Sequence, residues 1–163
     1  MHLNNLRDLF EHELNDLYDA ESQILEALPK MAEAASSPEL QRAFEKHVDQ
    51  TRSQRDRLEQ SMDQLGITIN GVRCKGMEGL IREGQEIMSE EGSPEVMDAA
   101  LIGAAQKVEH YEMAGYGTAR TFARMLGETQ AAGVLQQILD EEGRTDKELT
   151  MLAESRINRE ARR

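Results

Sequence analysis

Hydrophobic side chains recur every three or four residues along most of the chain, which is the spacing of one face of an α-helix. This pattern predicts four long helices, at about residues 3–34, 38–65, 94–126 and 129–157. It also predicts a shorter amphipathic helix at about residues 77–90. Few β-branched residues interrupt the pattern, and the abundance of Ala, Leu, Glu, Gln and Arg favours helix nearly everywhere. The sequence therefore predicts an all-α fold.

Residues that begin or end helices separate these segments. Pro38 and Pro94 each follow a serine, and this pair suits an N-cap followed by the first position of a helix. Gly66 and Gly127 suit the residue that follows the last turn of a helix. The connections after the first and third long helices are therefore short, whereas the connection after the second long helix is long.

The lengths of these connections predict how the helices are arranged. A short connection makes each of the first and third long helices an antiparallel hairpin with the helix that follows it. The long connection lets the third helix begin at the far end of the bundle. We expect a ferritin-like four-helix bundle with one crossover connection that carries the short extra helix. The alternative is an up-down-up-down bundle against which a fifth helix packs.

Charge and length exclude several classes of protein. The 31 acidic residues outnumber the 19 basic residues, and the net charge of −12 excludes a general binder of nucleic acid. The length suits one domain, which we place at residues 1–163. No apolar run approaches the roughly 20 residues that cross a bilayer, and the N-terminus lacks the pattern of a signal peptide. We therefore expect a cytoplasmic protein with no membrane partner.

Several polar side chains occupy positions that a hydrophobic residue normally holds. Glu21 lies at the centre of the apolar face of the first long helix, and Glu142 lies at the centre of that of the fourth. Glu109 and Glu112 are three residues apart on the apolar face of the third long helix. His47 lies on or beside the apolar face of the second. Because all of them lie near the middle of their helices, we expect them to meet at one depth.

A cluster of buried carboxylates needs positive charge. Burial of one ionised carboxylate costs several kcal/mol, and mutual repulsion adds to that cost. Arg55 lies only at the edge of the second helix face, and no basic residue lies on the central faces of the other long helices. Oxygen-rich sites with one imidazole and no thiolate suit iron or manganese. The sequence therefore predicts two iron or manganese ions, with ligands from Glu21, His47, Glu109, Glu112 and Glu142, and with Asp146, one turn later, as a further candidate.

The sequence departs from the usual di-iron motif, so an alternative interpretation of the acidic residues stays open. Di-iron bundles carry a Glu-x-x-His motif on two helices, whereas Phe44 stands three residues before His47 and Lys107 three residues before His110. The acidic groups could instead form a buried hydrogen-bonded network of protonated carboxyls with His47, Arg55 and Tyr116. A chain of that kind would be a metal-free helical structural or interaction protein.

Three segments of the sequence resemble the bacterial YciF family. They are residues 99–112 with the run Gln-Lys-Val-Glu-His-Tyr-Glu, the linker at residues 74–81, and Leu-Asp-Glu-Glu at residues 139–142 followed by Asp146. The similarity covers nearly the whole chain. It implies a ferritin-like, rubrerythrin-related bundle linked to stress responses, usually a homodimer. It also implies a dinuclear metal site at the positions of Glu21, His47, Glu109, Glu112 and Glu142.

We therefore expect a ferritin-like stress protein in which two bound metal ions act as redox centres. A reaction at such a site would consume an oxidant, as in an oxidase or a peroxidase, because nothing in the sequence indicates a pocket for a nucleotide or an organic cofactor. Iron storage in a cage is disfavoured, because the ferroxidase motif Glu-x-x-His is missing. The expected partners are metal ions and a second copy of the chain.

Three further side chains receive structural interpretations. His110 lies opposite the face of Glu109 and Glu112, so we expect it to pack closely against a neighbouring helix rather than to bind metal. The alternatives are that His110 lies in a dimer interface or that its ring supports the metal ligands without binding metal itself. Tyr116 is interpreted as a core tyrosine with a satisfied hydroxyl, with a bond to a ligand carboxylate as the alternative. Cys74, the single cysteine, excludes an intramolecular disulfide and is expected to be an ordinary packed or surface residue.

Overall fold

The computed structural model describes residues 3–162, and within that range the chain is helical with no strand. Its helices are α1 Leu6–Ala34, α2 Pro38–Gln64, α3 Lys75–Ser89, α4 Pro94–Met125, α5 Thr129–Leu152 and α6 Asn158–Ala161, with a π-helical turn at Ala153–Ile157. None of the described helices is both long enough and apolar enough to cross a bilayer. The all-α prediction is confirmed.

The helix ends follow from local chemistry. α1 begins at Leu6 because the side chain of Asn5 accepts a hydrogen bond from the Asp8 N–H at 3.0 Å. Gly66 and Gly127, which follow α2 and α4, have φ angles of 68° and 78°, a left-handed conformation that glycine adopts without strain. The predicted end of the last long helix at residue 157 is wrong, because regular α-helix stops at Leu152 and a π-helical turn follows.

Two sets of contacts identify the ends of the bundle. At one end, the Arg7 side chain near the start of α1 donates to the carbonyl of Leu65, just after α2, at 2.8 Å. At the other end, the Asp98 carboxylate near the start of α4 accepts the N–H groups of Ser36 and Ser37 at 2.8 and 2.7 Å. The second long helix therefore finishes at one end and α4 begins at the other. The connection between them runs the length of the bundle, as the crossover prediction requires.

The packing of the helices agrees with this path. α1 packs against α2 and α4, and α5 packs against α4 and α2, so α2 and α4 lie at diagonal corners. α3 covers the groove between α1 and α4. The connection is also fixed to α1, since the Asp19 carboxylate accepts the Cys74 N–H at 2.8 Å and Asn15 accepts the Asn70 N–H at 2.9 Å. The up-down-up-down alternative is therefore wrong.

The core of the bundle consists of two hydrophobic clusters. One contains Ile24, Leu28, Phe44, Leu101 and Leu149, and the other contains Phe10, Leu14, Leu58, Ala119 and Ile138. On α2, α4 and α5, buried polar residues lie between the parts that contribute to the two clusters, and on α1 the buried Glu21 lies beside the point where the clusters meet. The middle layer of the bundle is therefore polar although it is buried, and the apolar clusters above and below separate it from solvent.

Candidate metal centre

Four side chains from three helices converge in this polar layer. His47 comes from α2, Glu109 and Glu112 come from α4, and Glu142 comes from α5. Each exposes at most 3% of its surface. One ligand atom of each lies within 4.8 Å of a ligand atom of every other. The structure thus brings together four of the residues that the sequence predicted to meet.

The imidazole of His47 lies between two carboxyl groups. Its Nδ1 is 3.3 Å from Glu109 Oε1, and its Nε2 is 3.9 Å from Glu142 Oε2. Burial, helped by the charge of Lys46, lowers the pKa of His47 to about 4, so the ring is neutral at pH 7. Neither ring nitrogen has a hydrogen-bond partner within the described chain. A neutral imidazole with a free nitrogen is the form that binds a metal ion.

The carboxyl groups of the cluster are held in an unfavourable environment. Burial is the main cause that raises the pKa of Glu109 and Glu112 well above the usual range, and the charge of Glu142 is the next. Burial also raises the pKa of Glu142 to about 7. Both oxygens of Glu109 and Glu112 and one oxygen of Glu142 have no hydrogen-bond partner among residues 3–162. Because buried polar atoms are nearly always paired, these oxygens need protons or cations.

Glu21 of α1 lies beside this cluster in the same layer. It is completely buried, and the Tyr116 hydroxyl donates a hydrogen bond to its Oε1. Burial raises the pKa of Glu21 most, followed by the charge of Glu142, and the charge of Glu21 in turn raises the pKa of Glu112. Tyr116 is thus a core tyrosine with a satisfied hydroxyl, and the group that satisfies it is a predicted ligand.

Basic side chains do not neutralise the cluster. Arg55, which was predicted at the edge of the α2 face, lies 3.5 Å from its neighbour Asp56. Arg57 forms an ion pair with Glu141. In the part of the chain that the structure describes, no Lys or Arg nitrogen lies within ion-pair distance of the four clustered side chains or of Glu21. The charges of Arg57 and Arg55 lower the pKa of Glu21 only as minor causes, so the carboxyl groups of the layer need protons or bound cations.

Asp146 does not join the cluster. Its Oδ1 accepts a hydrogen bond from Gln106 Nε2 at 3.0 Å and lies 3.3 Å from His110 Nε2. Its charge is a small contribution to the raised pKa of Glu109. The side chain of His110 points away from the cluster, as predicted, but it is 66% exposed, so the predicted close packing is wrong. Asp146 thus takes part in a polar contact between α4 and α5 at the edge of the site.

Gln54 belongs to the site although the sequence pattern did not indicate it. It is completely buried on α2, and its Nε2 donates to Glu142 Oε1 and, at 3.1 Å, to Glu141 Oε2. Arg57 holds Glu141 from the other side. Its position could have indicated this role, because Gln54 follows His47 by seven residues and therefore lies two turns further on the same helix face. Gln54 fixes the orientation of one carboxyl group of the cluster.

The sequence is similar to proteins of known structure along nearly its whole length. Residues 5–162 match the model of a domain of unknown function (DUF892). Protein YciF of Escherichia coli strain K12 is 44% identical over 162 residues, which cover 99% of this chain and 98% of YciF. The crystal structure of the Escherichia coli stress protein YciF superposes with a TM-score of 0.92 at 44% identity, and the match covers 95% of this chain and 98% of that one.

Two further structures agree with this result. YcfI from Rhodopseudomonas palustris has a TM-score of 0.88 at 39% identity, with coverage of 91% of this chain and 94% of YcfI. A protein from Xanthomonas campestris pv. campestris has a TM-score of 0.74 at 23% identity, with coverage of 93% and 92%, which shows a shared fold. From its family match and its identity to Escherichia coli YciF, the chain belongs to the YciF family, with the domain of unknown function DUF892 over residues 5–162.

Proposed function

We propose that this chain binds two divalent metal ions, iron or manganese, in the buried polar layer. The observation that carries the proposal is the convergence of ligand atoms from four buried side chains within 4.8 Å. Most of these atoms have no hydrogen-bond partner among residues 3–162. Carboxylate oxygens with one imidazole nitrogen suit iron and manganese, and none of the four clustered residues is a cysteine that would favour a softer metal. The ligands are His47, Glu109, Glu112 and Glu142, with Glu21 beside them.

The charge of the layer supports two ions rather than one. Glu21, Glu109, Glu112 and Glu142 carry four negative charges when all are ionised, and two divalent cations would balance them. A single divalent cation would leave two buried negative charges, whose burial is strongly unfavourable. Binding would also lower the raised pKa values of these carboxyl groups, so each ion would enter with release of protons.

The residues around the polar layer suit redox chemistry on a small molecule. Bound iron or manganese would supply electrons to an oxidant. Tyr116 holds Glu21 and Gln54 holds Glu142, so two carboxyl groups are oriented in advance. Two hydrophobic clusters flank the layer, so a small oxidant suits it better than a bulky polar substrate. The relative from Escherichia coli is described as a stress protein, which supports a role in the consumption of an oxidant during stress.

Metal titration of the full chain tests the proposal. The wild-type protein, freed of metal with a chelator, is expected to bind two ions of Fe²⁺ or Mn²⁺ per chain and to melt at a higher temperature when they are bound. The double variant Glu109→Gln and Glu142→Gln keeps the shape of both side chains but removes two ligand charges. We expect it to lose the binding and the rise in melting temperature.

A matched control removes the same charges from the same helices at exposed positions. Glu95→Gln on α4 combined with Glu148→Gln on α5 is expected to bind metal as the wild type does. Failure of the wild-type chain to bind either metal would contradict the proposal, as would equal binding by the buried double variant. Size measurement in solution with and without metal tests the homodimer, which remains a prediction.

The second candidate function is that of a metal-free structural or interaction protein with a protonated acidic network. It is favoured by the description of YcfI from Rhodopseudomonas palustris as a “putative structural protein”. The raised pKa values allow several of the carboxyl groups to stay protonated near pH 7. The same titration separates the two functions, because a protonated network predicts no stoichiometric metal binding and no stabilisation by metal.

A further inference from the structure

A small cavity leads to one side of the candidate metal centre. It has a volume of about 30 Å³ and lies under α3, in the groove between α1 and α4. Its wall is formed mainly by hydrophobic side chains and one glycine, among them Ile24, Leu28, Ile81, Gly84, Ala104 and Val108. Since a cavity needs roughly 10–15 Å³ to hold one water molecule, this cavity has room for a guest of only a few atoms, such as a diatomic molecule.

The position of the cavity links the surface to the ligands. Lys30 and Gln85, which border it, are exposed residues on α1 and α3. His47 and Glu109, which also border it, are buried residues of the cluster. A molecule that enters beside α3 would therefore meet the His47 and Glu109 side of the site first.

The residues that line the cavity determine which kind of molecule can enter it. Between its two ends the wall offers methyl and methylene groups, so water or hydrogen peroxide would give up hydrogen bonds on entry. Apolar cavities stay dry and accept small apolar guests. We propose that this cavity is an entry site for dioxygen, which it admits to the His47 and Glu109 side of the metal centre. This inference rests on the proposed function and narrows its oxidant to a small apolar molecule.

Gly84 on α3 keeps the cavity open. A Cβ atom at this position would lie 3.9 Å from Ala104 Cβ, which is ordinary van der Waals contact. A larger side chain would extend into the cavity. Glycine inside a helix is less favourable than alanine by roughly 1 kcal/mol, so its presence at this buried position is not explained by helix stability. Gly79 on the same helix provides a matched control, because a Cβ atom there would meet nothing within 4 Å.

NMR spectroscopy under dioxygen pressure tests the proposal on the metal-free full chain. Dioxygen is paramagnetic, so it speeds the relaxation of methyl groups that it contacts. We expect stronger enhancement at the methyl groups of Ile24 and Leu28 than at those of Leu58, which is also buried but lies in the other cluster. The enhancement should fall to the level of Leu58 in Gly84→Leu and should persist in Gly79→Leu.

This experiment can fail independently of the metal titration, so the two proposals are tested separately. Enhancement at the cavity methyl groups no stronger than at Leu58, or unchanged in a folded Gly84→Leu variant, would overturn the proposal. If Gly84→Leu does not fold, Gly84→Ala fits without a clash and should reduce the enhancement, and an unchanged value there would overturn it equally. Metal binding by Gly84→Leu should match the wild type. A wild-type chain that admits dioxygen but binds no metal would contradict the proposed function alone.

Discussion

His47 Nδ1 lies 3.3 Å from Glu109 Oε1, although the two residues belong to different helical hairpins. The contact is not an ion pair at pH 7, because burial lowers the pKa of His47 to about 4 and raises that of Glu109. Both side chains also lie within 4.8 Å of Glu112 and Glu142. Both side chains are therefore directed at the same space, as the proposed metal site requires.

The metal-free protein should lose stability as the pH rises from about 6.5 to 8. Burial raises the pKa of Glu142 to about 7, whereas an unfolded glutamate titrates near 4.3. In this window the folded state binds more protons than the unfolded state, so stability falls with pH. The lowered pKa of His47 acts in the opposite direction mainly between about pH 4 and 6.5 and fades above that range. Melting temperatures of chelator-treated protein across this window measure the effect.

The variant Glu142→Gln provides the control for this pH dependence. It keeps the acceptor oxygen that Gln54 contacts but removes the titrating carboxyl group, so its melting temperature should fall less steeply with pH. Saturating metal should also flatten the wild-type curve, because the carboxylates are then charged and paired with cations. A melting temperature that stays constant or rises between pH 6.5 and 8 in the metal-free wild type would contradict the argument.

Gln54→Leu should weaken metal binding by about 10-fold or more while the helices remain intact. Gln54 donates to Glu142 Oε1 and so orients a ligand, and loss of such a supporting contact typically reduces metal affinity by about 10 to 100-fold. Calorimetric titration measures the dissociation constant. The control is Gln60→Leu, an exposed position on the same helix. Equal affinity in wild type and Gln54→Leu would show that Gln54 has no positioning role.

Much of the site could be predicted from the sequence because the helix period places each residue on a face. Glu21, Glu109, Glu112 and Glu142 interrupt apolar faces, and all four are buried. The period could not decide the case of Asp146, one turn after Glu142. Its direction depends on Gln106 and His110, which lie on another helix and bind its carboxylate.

The remaining differences have similar physical causes. The residue type of Gln54 did not indicate a site residue, because glutamine in a helix usually faces solvent, whereas here it is buried and bonded to α5. The π-helical turn after Leu152 has no signal in the periodicity, since Ala153 and Ile157 are as apolar as the pattern requires. The crossover was predictable, because the length of the connection after α2 allowed it to run from one end of the bundle to the other.

Asp98→Ala should lower the free energy of unfolding by about 3 kcal/mol. The buried carboxylate accepts the N–H groups of Ser36 and Ser37, and a hydrogen bond to a charged group contributes roughly 1.5–3 kcal/mol. These bonds hold the turn between α1 and α2 against the start of α4. Urea denaturation measures the change. Asp140→Ala, an exposed control on α5, should change stability by at most about 0.5 kcal/mol. A loss below about 1 kcal/mol for Asp98→Ala would contradict this role.

Cys74 should be unreactive in the folded protein at pH 8. Its side chain contacts Asp16 and Tyr111 at 3.0 Å, and burial is the main cause that raises the pKa of the thiol to about 11. The thiolate, which is the reactive form, is therefore scarce. A disulfide reagent such as DTNB should modify Cys74 rapidly in denaturant and only slowly without it. Rapid modification of the native protein would contradict the interpretation of Cys74 as a structural residue.

Anomalous diffraction tests the central claim most directly. Crystals of the full chain grown with Fe²⁺ or Mn²⁺, measured on both sides of the metal absorption edge, should show two anomalous peaks in the polar layer. The peaks should lie within coordination distance of ligand atoms of the cluster. Their ligands should come from Glu21, His47, Glu109, Glu112 and Glu142. The absence of an anomalous peak in this layer at saturating metal, in crystals that diffract well enough to show the glutamate side chains, would contradict the account.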